Sequence, residues 1–427
     1  MECKSSGLCL FDEQDVQTDI LGHSVIDYHP VSTLSRGAPI EFYVPGSTDE
    51  YIDCNDINLL IKVRITRGDG KAIDADDKVT FVNQPLSSLF QDVFLTIGDQ
   101  QVEGGQSCYP YNGYLSTIIQ YHPSAKKTHL QLWGFNEDEP GKFEDSANKG
   151  FQFRSQETVG SKTWELYGPL FLDMTRQSRY LLPQTDMRFK FLPSKDDFCL
   201  LGLDAAKTGF KVLIDKCILY VKRVRVNDSV ISGHNSGLDK NNAKYLLQHT
   251  DIQTFTVPAG TRSFIKDRLF QSQSPKFLIV GLVEHEAFNG SLGKNPFNFQ
   301  HFDLNKIALY RDGELGPTLM FSPNYTNGHF RRAYANTMSA LHYYNTDDTN
   351  GMTLEHFEKG YNLYAFDLTP DSSSDAPYRS PSSFSSLRLE ISFKKALTST
   401  INVVIFSILD SKLEVTKLRD VIVNYNR

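Results

Sequence analysis

VTFVNQPLSSLFQDVFLTIGDQQVEGGQSCYPYNGYLSTIIQYHPSAKKTHLQL, Val79 to Leu132, carries three structural units in succession. Val93, Leu95 and Ile97 alternate with Phe94, Thr96 and Gly98, the two-residue period of a strand with one buried face. Gly98-Asp99 supplies a tight turn into Gln101-Val102, and Gly104-Gly105 ends that return strand. Tyr111, Tyr114, Leu115, Ile118 and Ile119 then recur at spacings of three and four, one face of a short helix. The order of events repeats later. HFDLNKIALYRDGEL, His301 to Leu315, aligns without a gap on SLFQDVFLTIGDQQV, Ser88 to Val102, and Phe330, Tyr334, Met338 and Leu341 follow at helical spacing. The offset is 213 residues in a chain of 427, which predicts one domain built twice.

A chain of this length exceeds the roughly 250 residues at which single cores stop growing. With 40% hydrophobic and 22% charged residues it has the apolar material for two cores. Its aromatic share of 12%, mostly Phe and Tyr, suits strands and large interfaces. No run of eighteen apolar residues reads as a membrane-spanning helix, and MECKSSGLCLFDEQD lacks the apolar core of a signal peptide. The expectation is a protein made and kept in a reducing compartment unless a particle or lysis releases it. Cys3, Cys9, Cys54, Cys108, Cys199 and Cys217 form no CxxC pair and read as free thiols, not a disulfide or metal framework. Asn-x-Ser/Thr triplets at Asn227, Asn289 and Asn324 are then accidents of composition. Net charge is −7, and the first 56 residues carry eleven acids against two bases. A protein that coats nucleic acid directly carries a basic arm or stripe. This chain is biased the other way, so any genome it encloses is held within a shell without a phosphate-neutralising tail.

Residues 1 to 37, acidic and with little periodicity, read as an extended arm ordered where it meets a neighbour. From Pro39 strands begin, with Ile57, Leu59, Ile61, Val63 and Ile65 alternating with polar residues. A one-residue slip there would bury Lys62 and Arg64, so register is tightly specified. Residues 134–162 read as a long polar loop with little core, the kind that is exposed and has a role. WELYGPLFLDM, LPQTDMRFKFLP and FKVLIDKCILYVKRVRV supply further strands; Arg223 and Arg225 on the last read as a solvated face in preference to a nucleic-acid stripe. NDSVISGHNSGLDKNNAK looks like the boundary between halves, after which IQTFTVPAG, SFIKDRLF and KFLIVGLVE resume the strand pattern. Leu387, Leu389, Ile391 and Phe393 alternate with polar residues, whereas Ile401 to Ile408 is apolar on both faces and must pack on the other half or on another chain. Many short strands, two helical insertions and no β-α-β alternation predict an all-β protein of tandem sandwiches, with a jelly roll as one way to hide the sheet edges.

Catalytic motifs are weak. GSLGKN at Gly290 has the wrong spacing for a phosphate loop, and His285-Glu286 lacks the second histidine of a zinc helix. His122 and His129 read as the exposed end of a helix. Asp74, Asp76 and Asp77 lack the Gly and Glu of a calcium loop. No pair of carboxylates stands out for glycoside hydrolysis. No catalytic, cofactor or metal residue is assigned, and the chain is expected not to be an enzyme.

VNQPLSSLFQDVFLTIGDQQV with YPYNGYLSTIIQYHPSAKKTHL resembles the major capsid protein of Polinton/Maverick elements and adintovirus-like viruses. NPFNFQHFDLNKIALYRDGEL looks like a second signature of that family, and GYNLYAFDLTPD, LLPQTDMRFKFLPSKDDFCLL and INVVIFSILDSKLEV fit it in the expected order. The resemblance runs from about residue 79 to 415. It implies a double jelly roll, two tandem eight-stranded β-sandwiches with short helical insertions; periodicity and the polar boundary stretch divide the chain into arm 1–37, first roll 38–228, linker 229–250 and second roll 251–427. It implies a homotrimeric, pseudo-hexagonal capsomer that meets neighbouring capsomers, penton and minor or cement proteins in an icosahedral shell around double-stranded DNA. The place is then the virion, assembled inside the host cell. Tyr111, Tyr114, Tyr121, Arg331, Arg332 and Tyr334 become subunit-contact candidates, because aromatics and Arg are favoured in buried contacts; packing within the domain is the alternative. The doubly apolar strand 401–408 and helices 109–121 and 329–344 are candidates for the same burial. A rival reading is a tandem β-sandwich that binds or hydrolyses carbohydrate. A third keeps the fold and places the gene in a cellular genome as an integrated element that makes no virion.

Overall fold

Strand periodicity in the sequence becomes sixteen principal strands in a computed structural model. It describes residues 16–74, 76–204, 208–271, 273–316, 320–374, 379 and 384–424. The first eight are β1 (Ile20–Tyr28), β2 (Ile40–Val44), β3 (Glu50–Thr66), β4 (Phe90–Ile97), β5 (Gln100–Glu103), β6 (Trp164–Pro169), β7 (Met187–Pro193) and β8 (Lys211–Val226). The second eight are β9 (Ala243–Val257), β10 (Ser263–Lys266), β11 (Phe277–Glu284), β12 (Leu304–Arg311), β13 (Glu314–Leu315), β14 (Leu363–Asp367), β15 (Leu387–Phe393) and β16 (Ile401–Val415). A short ribbon of Val79–Phe81 with Leu200–Gly202, a strand Val421–Asn424 on β16 and several isolated bridges add to these among the described residues.

The first half forms two four-stranded antiparallel sheets, β1-β8-β3-β6 and β2-β7-β4-β5. Adding eight to each number gives the second half, β9-β16-β11-β14 and β10-β15-β12-β13. Each half is therefore an eight-stranded jelly roll, and the expected doubling is present in the strand order itself. Inside the first roll, Leu59, Ile61 and Val63 of one sheet and Phe42, Leu95, Phe189 and Phe191 of the other are buried together. Lys62 and Arg64 point out of β3 and pair with Glu165 (2.8 Å) and Asp215 (3.1 Å), as the alternation requires.

The register of the repeat needs a correction. The gapless match at 213 residues sets Val93 on Lys306, a buried position on a half-exposed one. The sheets align the halves one residue further along. The bulge between Phe90 and Asp92 on β4 recurs between Leu304 and Lys306 on β12. Val93, paired with Phe191, then corresponds to Ile307, paired with Ile391, and the turn Gly98-Asp99 corresponds to Asp312-Gly313. Strand side chains alternate, so a slip of one exchanges the two faces; the hydrogen bonds decide what letter matching missed.

Three segments differ from expectation. Part of the arm is ordered on its own chain and needs no neighbour: Ile20–Tyr28 is β1, paired antiparallel with β8 from Ile20↔Val226 to Tyr28↔Leu219. Residues 1–15 lie outside the described residues. The boundary stretch holds a helix, Asp228–Leu238, capped by Asn227, whose side chain accepts from Ser229 N–H, and β9 already begins at Ala243. The supposed polar loop 134–162 is folded and partly buried, as described next.

Candidate assembly surfaces

Helix α1 (Tyr109–Gln120) sits in the insertion between β5 and β6, as the spacing predicts. Pro110 at its start costs nothing there, because the first turn has no partner for that N–H. Tyr111 and Tyr114 do not reach outward. They are 2% and 0% exposed and lie against the second roll. The Tyr114 ring stacks on Phe297 at 4.1 Å between centroids, and Tyr111 stacks on Phe288 at 5.4 Å. Tyr111 Oη donates to the Pro296 carbonyl (3.0 Å) and Tyr114 Oη to Tyr361 Oη (3.2 Å). Burial pushes the pKa of both phenols up, so they act as neutral apolar props that satisfy their hydroxyls. Lys126 crosses the same seam, donating to the carbonyls of Ile118 (2.9 Å) and Asn350 (2.6 Å); burial lowers its pKa to about 8. The subunit contact expected of Tyr111 and Tyr114 is thereby replaced by contact between the two halves of one chain, which leaves no surface on them for a neighbour.

The segment 134–162 braces this seam. It contains helix α2 (Lys149–Thr158), capped by Asn148, and buries Phe135, Phe143 and Phe151. Phe143 meets Tyr361 edge to face at 5.3 Å. At its centre Arg154 and Asp138, both fully buried, pair at 2.9 Å. Arg154 also donates to the carbonyls of Phe81 and Asn136, both 3.0 Å. Asp138 accepts further bonds from Asn148 (2.7 Å) and Asn83 (3.3 Å). A buried ion pair is tolerable only when its remaining donors and acceptors are met, and here they are. The helix escaped sequence reading because its buried positions are Gly150, Phe151, Arg154 and Thr158, of which only the Phe scores as strongly apolar, and an Arg scores as surface.

Tyr121 is half-buried and packs edge to face on Trp133 (5.4 Å). Helix α3 (Arg331–Ala340) occupies the equivalent insertion of the second roll. There Arg331 and Arg332 are exposed, with Arg332 over the Phe321 ring at 5.2 Å; Tyr334 is half-buried and donates to the Met352 carbonyl (2.8 Å). These four residues keep surface available for a partner.

The outward faces of two equivalent sheets differ. In β9-β16-β11-β14, Ile279, Val283, Val404, Phe406, Leu363 and Ala365 are all buried. Gly281 sits so close to Phe299 that an added Cβ would lie 2.7 Å from that ring, and Phe299 touches Tyr111. The doubly apolar strand is therefore covered by the chain's own seam. In β1-β8-β3-β6, Leu60 and Tyr220 are half-exposed and Tyr167 is 37% exposed, with Tyr167 against Tyr220 at 6.0 Å. Lys222, on the same sheet, pairs with Asp53 (3.3 Å) and Asp56 (3.4 Å); Arg223, expected on a solvated face, is instead buried, on the Tyr28 hydroxyl (2.8 Å) with Glu50 at 3.8 Å, while Arg225 is exposed.

The motifs set aside in the sequence have structural occupations. Lys294 of GSLGKN pairs with Glu284 (2.9 Å). His285 bonds Asn402 (2.7 Å) and Asn289 (2.8 Å). His122 lies 3.2 Å from Asp348. Arg67 pairs with Asp74 and, at 3.0 Å, with Asp77, so a guanidinium fills the acidic turn. Cys54, Cys108, Cys199 and Cys217 are buried free thiols; Cys3 and Cys9 lie outside the described residues. Among the described residues no group of three His, Cys, Asp or Glu could hold a metal, and no helix is long and apolar enough to cross a membrane.

No protein-family model matches the chain. An uncharacterized protein of Caenorhabditis elegans is 24% identical over 343 residues, 78% of this chain and 80% of that one. Solved structures with the same arrangement include a chain of the Sputnik virophage (TM-score 0.66, 12% identical, 100% of this chain and 93% of that one). The PBCV-1 virus capsid follows the same path (TM-score 0.61, 9% identical, 98% and 100%). So does the mavirus major capsid protein (TM-score 0.56, 12% identical, 99% and 93%). At these identities the likeness concerns fold, and it extends over both rolls. The chain has the double jelly-roll fold that viral major capsid proteins carry.

Proposed function

We propose that this chain is a major capsid protein whose three copies close into a pseudo-hexagonal capsomer, with capsomers tiling an icosahedral shell around double-stranded DNA. The observation that carries the reading is the pair of unequal sheet faces. One roll's outward sheet is covered by the insertion of the other roll, while the equivalent sheet carrying Leu60, Tyr167 and Tyr220 stays open. A second copy's α3 insertion, with Arg331, Arg332 and Tyr334, is the counterpart of the α1 insertion and fits that open face. Such a head-to-tail contact closes into a ring after three doubled chains, six similar walls in all. Tyr121 stands near the same rim. The acidic arm, residues 1–37, would lie at the base of the capsomer or bridge to neighbouring capsomers, and penton and minor proteins would complete the shell. The resemblance to Polinton/Maverick and adintovirus-like capsid proteins supports the finer assignment.

Light scattering on the purified chain tests this. A particle near three times 48.4 kDa is expected. A stable monomer with affinity for saccharides would favour the carbohydrate-binding reading instead. The relative in Caenorhabditis elegans supports a further reading for the gene, an integrated element in a cellular genome that makes no virion. Negative-stain images of the protein alone and co-expressed with its genomic neighbours separate a shell-former from a chain that stops at capsomers.

A further inference from the structure

Where the end of β5 meets β9, acidic groups of the two rolls gather around one histidine. Glu103 is half-buried as a residue, and its two carboxyl oxygens accept from the backbone N–H of Asp173 (2.7 Å) and Met174 (2.8 Å). Asp173 in turn bonds the His249 ring (2.6 Å) and accepts from Thr250 N–H (3.1 Å). Glu103 and Asp173 belong to the first roll, His249 and Thr250 to the second. Beside them Gln106 donates to Asp251 (2.8 Å) and accepts from Ile252 N–H (3.3 Å). A cavity of about 270 Å³ lined by Glu103, Asp173 and His249 lies between the rolls.

The other charged groups are few. Asp92 on β4 is held by Gly105 and Ser107 N–H. Asp251 faces the cluster from β9, and Arg176 acts on it from the turn after β6, partly occupied with Ser116 and the Phe171 ring. Cys54, Cys108 and Tyr109 have pKa values raised by burial and are neutral here. Acids outnumber cations, and both cations stand beside Asp173.

We propose that the Glu103–Asp173–His249 cluster is a latch between the two rolls, closed at acidic pH and progressively released as pH rises. Burial, then the charge of Asp173, push Glu103 up to about 8, against the opposing pull of its two backbone bonds and His249. Burial alone would lower His249, but the bond to Asp173 and the charges of Asp173, Glu103 and Asp251 outweigh it and raise its pKa. Both groups thus bind protons more tightly in the closed seam than in water. The contribution of Glu103 is complete below the ordinary carboxyl value of about 4.3 and drains away as pH climbs to about 8. That of His249 is complete below about 6.5 and drains as pH rises through its raised value. Through the Glu103 window the opening constant rises up to about tenfold per pH unit, then levels off.

Hydrogen exchange of the intact chain, corrected for intrinsic base catalysis, reads the latch in peptides spanning 170–177 and 245–252 between pH 5.5 and 9. Opening should increase with pH in the wild type and level off near pH 8. Glu103→Gln should open more at every pH, because its amide turns a donor toward one of two backbone N–H groups, yet lose most of the slope. Glu41→Gln, an exposed acid on β2, should keep it. A flat wild-type profile, or a Glu103→Gln slope equal to wild type, overturns the proposal. Should Glu103→Gln fail to fold, infrared titration of the wild type decides. A protonated-carboxyl band lost with a midpoint near pH 8 sustains the latch, and its absence at pH 6.5 overturns it.

Discussion

The two strands that open the rolls, β1 and β9, occupy the same place in the same topology and live in different surroundings. On β9, Tyr245, Leu247 and Ile252 are buried against the first roll, and Tyr245 Oη accepts from Leu182 N–H (3.1 Å). On β1, Leu21 and Val25 are 57% and 58% exposed, and the strand is an open sheet edge. Natural sheets cover or blunt such edges. A chain that runs through two equal rolls has one seam of its own, so one of the two equivalent surfaces is always left over. Doubling a domain therefore builds half an interface inside the molecule and leaves the other half for a copy.

The largest expected effect breaks the covered side. Asp138→Ala strands Arg154 as an unpaired buried charge and should cost about 3–5 kcal/mol in denaturant unfolding. A loss under about 1 kcal/mol would show that the 134–162 brace contributes little. Tyr114→Ala removes a fully buried ring from the seam and should cost about 3 kcal/mol. Gly281→Val drives side-chain atoms into Phe299, an overpacking penalty of about 1–3 kcal/mol. The open side should answer differently. Leu60→Asp with Tyr167→Ala should change monomer unfolding by about 0.5 kcal/mol at most, while light scattering shows the trimer lost; a surviving trimer would place the subunit contact elsewhere. On the same sheet, Lys222→Ala deletes its half-buried pairing with Asp53 and Asp56 and should shift stability by less than about 1 kcal/mol in denaturant unfolding, with the trimer kept.

Much of this was legible in the order of residues. Strands β3, β4, β15 and β16 announce themselves because alternation or a doubly apolar run is a local signal. Helix α1 does so through Tyr111, Tyr114, Leu115 and Ile118. Helix α2 does not, because Arg154 counts as surface until three acceptors are brought to it from positions as distant as Phe81. β1 is mostly exposed on both faces and so has no period to read. The repeat was visible but set one residue out of step, since letters match without knowing where a bulge falls.

The sequence by itself determined that the chain is mostly strands, that it is built twice, and which faces of most strands are apolar, because these depend on neighbours a few residues away. Only the tertiary structure decided what those apolar faces touch. Tyr111 and Tyr114 could have met another subunit or another domain with the same spacing. Phe297, nearly two hundred residues on, claims Tyr114, because burial is a property of where the chain returns in space, which spacing along it does not record.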